Sequence, residues 1–133
     1  MVYTEVMTQN KDFQLCYHKG KSVVSRHIII YARKNRLAVN RLGITTGKKV
    51  GNAVCRSRAR RLIRQAWREN ELAAPIGLDI VIVARQRLLE LKSTQLSYYL
   101  KKYGVPALHK IYAGEPVPQP GQKPASGKSV KSS

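Results

Sequence analysis

The sequence predicts an α+β protein, a two-layer sandwich of helices on a sheet with elements in the order α-β-β-β-α-β-α. Two observations carry this prediction. Several segments repeat apolar residues at helical spacing. Others are short, apolar and rich in β-branched residues, as strands are. The length of 133 residues suits one domain with a single core.

The first half of the chain is predicted to hold one helix and the first three strands. Asn10 caps a helix that ends at Gly20, with apolar side chains at i, i+3 and i+4. Residues 22–32 are β-branched and predict a strand. Residues 33–40 are a basic, turn-like interruption with a short strand, and residues 41–46 supply another strand.

The second half is predicted to alternate helix, strand and helix. A long helix begins after Asn52, whose side chain suits an N-cap. Residues 78–86 form an apolar run of strand length. Ser93 caps the last helix, which Gly104 and Pro106 close.

These elements define a folded domain over residues 10–112, after a flexible N-terminus at residues 1–9. Residues 113–133 are rich in Pro, Gly and Ser, which predicts a disordered basic tail. The sequence shows no secretory signal and no apolar run near the roughly 18 residues of a membrane span. Cys16 and Cys55 are well separated, which argues against a disulfide framework or zinc site. A cytoplasmic protein is expected.

Charge is the strongest functional signal in the sequence. Lys and Arg number 25 against 7 Asp and Glu, which gives a formal net charge of +18. Such an excess indicates a polyanionic partner, with nucleic acid favoured over an acidic membrane surface. The segment KKVGNAVCRSRARRLIRQAWREN, residues 48–70, concentrates the charge and has no carboxylate before Glu69.

On a helical wheel, residues 53–69 separate into an apolar face and a basic face. The apolar arc holds Cys55, Ala59, Leu62, Ile63 and Ala66. The basic stripe on the opposite side holds Arg56, Arg60, Arg64 and Arg68, with Arg61 beside it, Arg58 at its margin and Trp67 next to it. A solvated face would mix signs, whereas this one is almost purely Arg, which binds phosphate bidentately. Nucleic-acid contact is therefore favoured over a solvated face with Trp67 half-packed.

No catalytic or metal-binding residues are predicted within the chain. Its acids are scattered along the predicted elements, and His18, His27 and His109 lack ligand spacing. Gly47 and Gly51 permit close backbone approach before the basic helix, whose first amides favour an anion. No Gly-Lys-Ser/Thr follows a Gly-rich loop, so nucleoside triphosphate binding is not supported.

The segment KKVGNAVCRSRARRLIRQAW resembles the signature of the bacterial ribonuclease P protein subunit family. That family carries the pattern Lys-Val-Gly-Asn-Ala-Val-x-Arg-Asn-Arg-x-Lys-Arg-x-x-Arg. The matching residues are Lys49, Val50, Gly51, Asn52, Ala53, Val54, Arg56, Arg58, Arg61 and Arg64. Ser57 stands where the pattern has Asn, and Arg60 stands where it has Lys. The similarity covers about residues 10–112, including NKDFQLCYHKGKSVVSR, IIIYA, RLGITT and DIVIVAR.

The resemblance implies the ribosomal protein S5 domain 2-like fold, with a left-handed βαβ crossover around the basic helix. Periodicity cannot show that hand, because right-handed connections are the default. The resemblance also implies the protein subunit of ribonuclease P, whose partners are ribonuclease P RNA and precursor tRNA. The holoenzyme is an endoribonuclease that removes the 5′ leader, with Mg²⁺ held mainly by the RNA, which carries the catalysis. Neither a membrane nor an obligate protein partner is implied.

Two RNA-contacting surfaces follow from the resemblance. The catalytic RNA would be bound by Lys48, Lys49, Asn52, Arg56, Ser57, Arg58, Arg60, Arg61, Arg64 and Arg68. The single-stranded leader would lie in a cleft with Phe13, Tyr17 and Tyr31, and Arg26 is a candidate for the accompanying charge. Aromatic rings stack on bases while basic groups follow the backbone. From the residues alone, core packing is the stronger interpretation of Phe13 and Tyr17.

Two other classes of protein remain as alternatives. The more serious is a ribosomal-type structural RNA-binding protein without a role in cleavage. A helix-turn-helix DNA-binding protein would place the basic helix after another helix and a short turn, whereas here it follows a strand.

Overall fold

A computed structural model describes residues 2–117, over which the chain forms a five-stranded sheet and four α-helices. The strands are β1 (Thr4–Val6), β2 (Lys21–Val24), β3 (Ile28–Lys34), β4 (Asn40–Thr46) and β5 (Leu78–Ala84). The helices are α1 (Asn10–Lys19), α2 (Ala53–Asn70), α3 (Ser93–Tyr99) and α4 (Val105–Ala113). Short 3₁₀ turns cover Lys48–Val50, Glu71–Ala73 and Gln86–Glu90, and a π turn over Leu100–Gly104 joins α3 to α4.

The sheet has the strand order β1-β4-β5-β3-β2. β3 runs antiparallel to β2 and to β5, whereas β4 runs parallel to β1 and to β5. The number and order of helices and strands from α1 through α3 match the prediction, and the mixed α+β class is confirmed. The unit β4-α2-β5 connects adjacent parallel strands, and it is the crossover that the family resemblance implies to be left-handed.

The single strand predicted over residues 22–32 is wrong, because hydrogen bonds between Ser25 and Ile28 close a turn that divides it into β2 and β3. The separate short strand predicted within residues 33–40 is also wrong, since residues 33–34 end β3 and residue 40 begins β4.

The two faces of the sheet have different partners. Alternate residues of β3 and β5, such as Ile30 and Ile82, pack with α2, α3 and α4 in the main core. On the other face, Cys16 of α1 packs with Met7 and Val81 in a smaller cluster. The aromatic side chains around this smaller cluster are only partly buried. The second face therefore keeps an open area beside α1.

The predicted flexible N-terminus at residues 1–9 is wrong for Thr4–Val6, which forms β1 along β4. Two residues, Trp67 of α2 and Glu71 of the turn after it, hold the chain at this strand. The backbone N–H groups of Val2 and Tyr3 each donate to the Glu71 carboxylate at 2.8 Å. Nε1 of Trp67 donates to Oγ1 of Thr4 at 3.0 Å. The chain before α1 is thus part of the sheet.

The prediction that the last helix closes at Gly104 and Pro106 is also wrong. The π turn widens the helix there, and α4 continues to Ala113. Pro106 lies in the first turn of α4, where a missing N–H costs least. Gly114 then ends the helix with φ +77, a left-handed cap that favours glycine. Of the predicted tail at 113–133, residues 118–133 lie outside the described residues.

Candidate nucleic-acid interface

The basic helix α2 begins just beyond the carboxyl end of β4. Oδ1 of Asn52 accepts the N–H of Cys55 at 3.0 Å, which confirms the predicted N-cap. Lys48 and Lys49 are exposed on the 3₁₀ turn that precedes it. Gly51 has φ +138, and a Cβ there would lie 2.8 Å from Cβ of Cys55. Both conformation and space therefore require glycine at this turn.

Four arginines of α2 point into solvent: Arg58, Arg61, Arg64 and Arg68. Nη1 of Arg68 donates to the side chain of Gln65 at 3.3 Å. Among residues 2–117, none of the ion pairs involves an arginine of α2. The positive charge of this face is therefore uncompensated by nearby acids, as a phosphate-binding surface requires.

The helical wheel predicted Arg56 and Arg60 on the side of α2 opposite the buried face, and this prediction is wrong. Both are partly buried at its flank, because Trp67 is only 1% exposed and belongs to the buried side of α2. The prediction that Trp67 lies beside the basic stripe is wrong for this reason. Arg60 donates to Oγ1 of Thr46 at 2.8 Å and to Oγ of Ser57 at 3.3 Å. Arg60 thus reaches from α2 to the end of the sheet.

Phe13, Tyr17 and Tyr31 meet on the open face of the sheet, and each is partly exposed. The rings of Tyr17 and Tyr31 lie edge to face, with centroids 5.1 Å apart and an interplanar angle of 81°. The Phe13 ring lies directly on Gly43, where an added Cβ would come within 2.5 Å of Cε1. The three rings therefore pack against the sheet and remain partly exposed to solvent. We call the surface formed by Phe13, Tyr17 and Tyr31 the aromatic cleft.

Two consecutive threonines of β4 join the aromatic cleft to α2. Oγ1 of Thr45 lies 2.7 Å from the hydroxyl of Tyr17, on the face that carries the cleft. Oγ1 of the next residue, Thr46, accepts from Arg60 on the face that carries α2. Successive side chains of a strand point to opposite faces. The aromatic cleft and the basic helix therefore meet at one strand end.

Arg26 is not brought together with the three aromatic residues. It is exposed in the turn between β2 and β3, and it lines a cavity with Val23, Tyr99 and Tyr103. Val23 belongs to the main core, on the sheet face opposite the aromatic cleft. Arg26 therefore lies apart from the cleft for which it was a candidate charge.

A basic cavity of about 330 Å³, which was not predicted from the sequence, lies at the end of β3 and the start of β4. Its lining residues are Arg33, Lys34, Asn35, Arg36 and Arg41. Arg33 lies two residues beyond Tyr31 on β3, so the two share a sheet face. The basic run RKNR carries the signal for this cavity, although its pattern predicts only a basic, turn-like interruption with a short strand.

A buried ion pair supports that cavity. Nε and Nη2 of Arg41 donate to the two carboxylate oxygens of Asp79 at 2.8 and 2.6 Å. The Asp79 side chain is fully buried, and Nδ2 of Asn35 also donates to it at 2.9 Å. Donation of these hydrogen bonds to Asp79 raises the pKa of the Arg41 guanidinium above its ordinary value. Arg41 is therefore a fixed cation on the open face.

Neither a membrane span nor a metal cluster is found over residues 2–117. None of the described helices is long and apolar enough to cross a bilayer. The same part of the chain has no group of three or more His, Cys, Asp or Glu side chains that could hold a metal ion. The candidate site instead combines partly exposed aromatic rings with arginines of α2 that form no ion pair within the described part of the chain.

An α+β sandwich with an arginine-rich helix beside an aromatic cleft defines a class, the small basic RNA-binding proteins. The family model of ribonuclease P matches residues 1–107. The chain therefore belongs to the bacterial ribonuclease P protein family, the protein subunits of the endoribonuclease that processes tRNA. The resemblance seen in the signature segment is confirmed.

Individual relatives agree with the family model. The ribonuclease P protein component of Lachnoclostridium phytofermentans is 46% identical over 82 residues, which are 62% of this chain and 71% of that protein. That of Pelotomaculum thermopropionicum is 39% identical over 102 residues, covering 77% of this chain and 91% of the relative. The structure of Staphylococcus aureus RNase P protein is 32% identical, with a TM-score of 0.68, and covers 80% and 96% of the two chains.

Proposed function

We propose that this chain binds the catalytic RNA of ribonuclease P through α2 and holds the 5′ leader of precursor tRNA in the aromatic cleft. In this role it assists the Mg²⁺-dependent endonucleolytic removal of the leader. The RNA subunit carries the catalysis, and the protein offsets phosphate charge and orients the substrate. The proposal places the protein in the cytoplasm, where the free thiols of Cys16 and Cys55 suit a reducing environment.

The observation that carries the proposal is that the aromatic cleft and the arginine-rich helix α2 meet at the end of β4. Tyr17 contacts Thr45 on one face, and Arg60 contacts Thr46 on the other. A protein that only neutralises RNA charge needs the basic helix alone. A protein that positions a single strand against a folded RNA needs both surfaces side by side.

Contact with the catalytic RNA is assigned to the basic helix because its charge is exposed and unpaired. Arg58, Arg61, Arg64 and Arg68 provide guanidinium groups in solvent, and Lys48 and Lys49 extend this surface before the helix. Each phosphate contact releases counterions, so the affinity for RNA should fall steeply with salt. Arg56, Ser57 and Arg60 complete the surface at its border with the cleft.

Leader binding is assigned to the aromatic cleft because half-exposed rings stack on bases without reading their sequence. Such stacking is worth about 1–3 kcal/mol per base. The basic cavity with Arg33 and Arg41 lies on the same face of the sheet as Tyr31. Arg33 and Arg36, which line this cavity and are in none of the ion pairs of the described residues, supply positive charge beside the rings for the leader backbone. This is the role predicted for Arg26.

We propose that the Mg²⁺ ions are held mainly by the RNA. Residues 2–117 offer no cluster of acidic, histidine or cysteine side chains that fits a metal ion. When bound, the ions supply activation of the attacking water and stabilisation of the leaving oxygen. The residues of this chain act on the RNA phosphates and on the leader bases.

The leader assignment is tested by comparing the affinity of the holoenzyme for precursor and mature tRNA. Tyr17→Leu should weaken precursor binding about tenfold, because a stacking ring is lost, and leave mature tRNA binding within twofold. Tyr98→Leu is the matched control, since Tyr98 is exposed on α3 outside the cleft. Equal losses for both tRNAs would mean that Tyr17 is only structural.

A further inference from the structure

A second aromatic cavity, of about 500 Å³, lies on the other face of the sheet from the aromatic cleft. It is lined by residues of β2, the turn after β2, the end of α3, the π turn, α4 and the segment after α4, and we call it the β2–α4 cavity. Val23 of its floor faces the main core, whereas Tyr31 of the aromatic cleft packs with the smaller cluster. The two sites therefore do not share a surface. Cavities of this size commonly hold small organic ligands.

The lining of the β2–α4 cavity combines aromatic rings with positive charge. The rings of Tyr99 and Tyr103 lie 5.4 Å apart with an interplanar angle of 35°. Arg26, Lys102 and Lys110 contribute three cations, and no carboxylate of the described residues lines the cavity. A ligand that matches this lining carries a flat apolar group and a negative charge. A nucleotide has both parts.

The π turn explains how these groups come together. Over Leu100–Gly104 the helix is widened by one residue per turn, a distortion that is often found at functional sites. The turn carries Lys102 and Tyr103, and Nζ of Lys102 lies 5.5 Å from the centre of the Tyr103 ring. An added Cβ at Gly104 would lie 2.8 Å from Cδ2 of Leu100, so a larger residue there would force the Leu100 side chain to shift. The local fold thus presents a ring and a cation at the rim.

We propose that the β2–α4 cavity binds an unpaired nucleotide of single-stranded RNA. The base would lie against Tyr99 and Tyr103, and its phosphate would be held by Lys102, Lys110 and Arg26. The inference rests on the proposed function in one respect, which is that RNA is the available ligand. The site is separate from the aromatic cleft, so either assignment can fail without the other.

The chain's own following segment is the competing occupant. Val117 lines the cavity, and residues 118–133 continue from it. That segment carries Lys123, Lys128 and Lys131 and has no acid. Like charge opposes its insertion beside Arg26, Lys102 and Lys110. Charge complementarity therefore favours RNA as the occupant.

The test uses the full chain and a single-stranded pentauridylate with 5-iodouridine at its centre. Photocrosslinking followed by mass spectrometry should place a crosslink at Tyr99 or Tyr103, besides any crosslink in the aromatic cleft. In a Tyr17→Leu background, Tyr103→Ala should then weaken binding of the oligonucleotide about tenfold, the loss expected for one stacked base. The matched control Tyr98→Ala should change it less than twofold. Tyr98 is also exposed and also contacts Lys102, but it does not line the cavity.

Equal effects of Tyr103→Ala and Tyr98→Ala would overturn the inference, as would crosslinks confined to the aromatic cleft. Both rings are more than half exposed, so both variants should keep the parent melting temperature.

A comparison of two lysines provides an independent check of the β2–α4 cavity. Lys102→Gln should weaken oligonucleotide binding several-fold more than Lys101→Gln, whose side chain lies outside the lining. If Tyr17→Leu alone leaves oligonucleotide binding unchanged while Tyr103→Ala weakens it, the RNA-binding role of the aromatic cleft is contradicted and that of the β2–α4 cavity is supported.

Discussion

The hydroxyl of Tyr17 and Oγ1 of Thr45 lie 2.7 Å apart, which fixes the Tyr17 ring on the open face of the sheet. The ring belongs to α1 and the threonine to β4, so this hydrogen bond ties the helix that covers the face to the strand that leads into α2. It orients the Tyr17 ring, which would stack on a leader base under the proposed function. The site therefore depends on contacts between distant parts of the chain.

Removing this hydrogen bond should lower stability more than it lowers leader affinity. Tyr17→Phe keeps the stacking ring, and we expect it to cost about 1 kcal/mol of unfolding free energy, the usual value of one hydrogen bond. Precursor tRNA affinity should stay within about threefold of the parent. Urea unfolding and tRNA binding measure the two quantities. Thr45→Val removes the same bond, and a double variant should show little further loss.

The salt dependence of RNA binding should report the exposed arginines of α2. Replacing Arg61, Arg64 and Arg68 with Gln should reduce the slope of log affinity against log salt by about 2, since each phosphate contact contributes about 0.7–0.9. The control is Arg87→Gln, because Arg87 is exposed but paired with Glu90 at 3.2 Å. An unchanged slope in the triple variant would remove α2 from the RNA interface.

Acid should release β1 before it unfolds the domain. Burial raises the pKa of Glu71, but hydrogen bonds from the Thr4 hydroxyl and the N–H groups of Val2 and Tyr3 together outweigh it, so the pKa lies below its ordinary value. A carboxylate with a lowered pKa stabilises the fold above its unfolded pKa of about 4.3. That stabilisation is lost as the pH falls through the lowered pKa of the folded state.

The fluorescence of Trp67 measures this loss, because its Nε1 donates to Thr4 and it is the single tryptophan. The emission should shift below about pH 4.3 in the parent. Glu71→Gln should remove the pH-dependent step, whereas Glu90→Gln, which changes an exposed carboxylate, should retain it. An identical titration in the parent and Glu71→Gln would show that β1 is held by other contacts.

The Arg41–Asp79 pair should be the most sensitive polar contact of the fold. Arg41→Ala leaves the fully buried Asp79 carboxylate without its cation, and breaking such a pair costs about 3–5 kcal/mol. Chemical denaturation measures the change. Arg36→Ala is the control, since Arg36 lines the same cavity but is exposed, and it should change stability by less than about 0.5 kcal/mol. Similar losses of unfolding free energy in Arg41→Ala and Arg36→Ala would contradict the stabilising role of the Arg41–Asp79 pair.

The local pattern of apolar residues was enough to predict the helices and the central strands. It failed where contacts with distant parts of the chain determine the local structure. β1 is only three residues long, and Glu71, far along the chain, holds it in place. Pro106 and Gly104 read as a helix end, but the π turn and the packing of α4 carry the helix past them. The buried side of α2 includes Trp67 because β1 offers its Nε1 an acceptor.

The candidate site shows the same division. Charge and spacing predicted the basic surface of α2, because exposed arginines at helical spacing are a local pattern. The grouping of Phe13, Tyr17 and Tyr31 came from the family resemblance, since residues on a helix and a strand meet only through the tertiary fold. Arg41 was missed because its role depends on Asp79, its neighbour across two parallel strands.

The most direct test is cleavage of a 5′-extended precursor tRNA by a bacterial ribonuclease P RNA at low Mg²⁺, with and without this protein. The account predicts cleavage at the leader junction when both are present, and little or none when either is omitted. Cleavage by the protein alone would contradict it by placing the chemistry in this chain. Binding to the RNA without any gain in cleavage would contradict it in favour of a structural RNA-binding role.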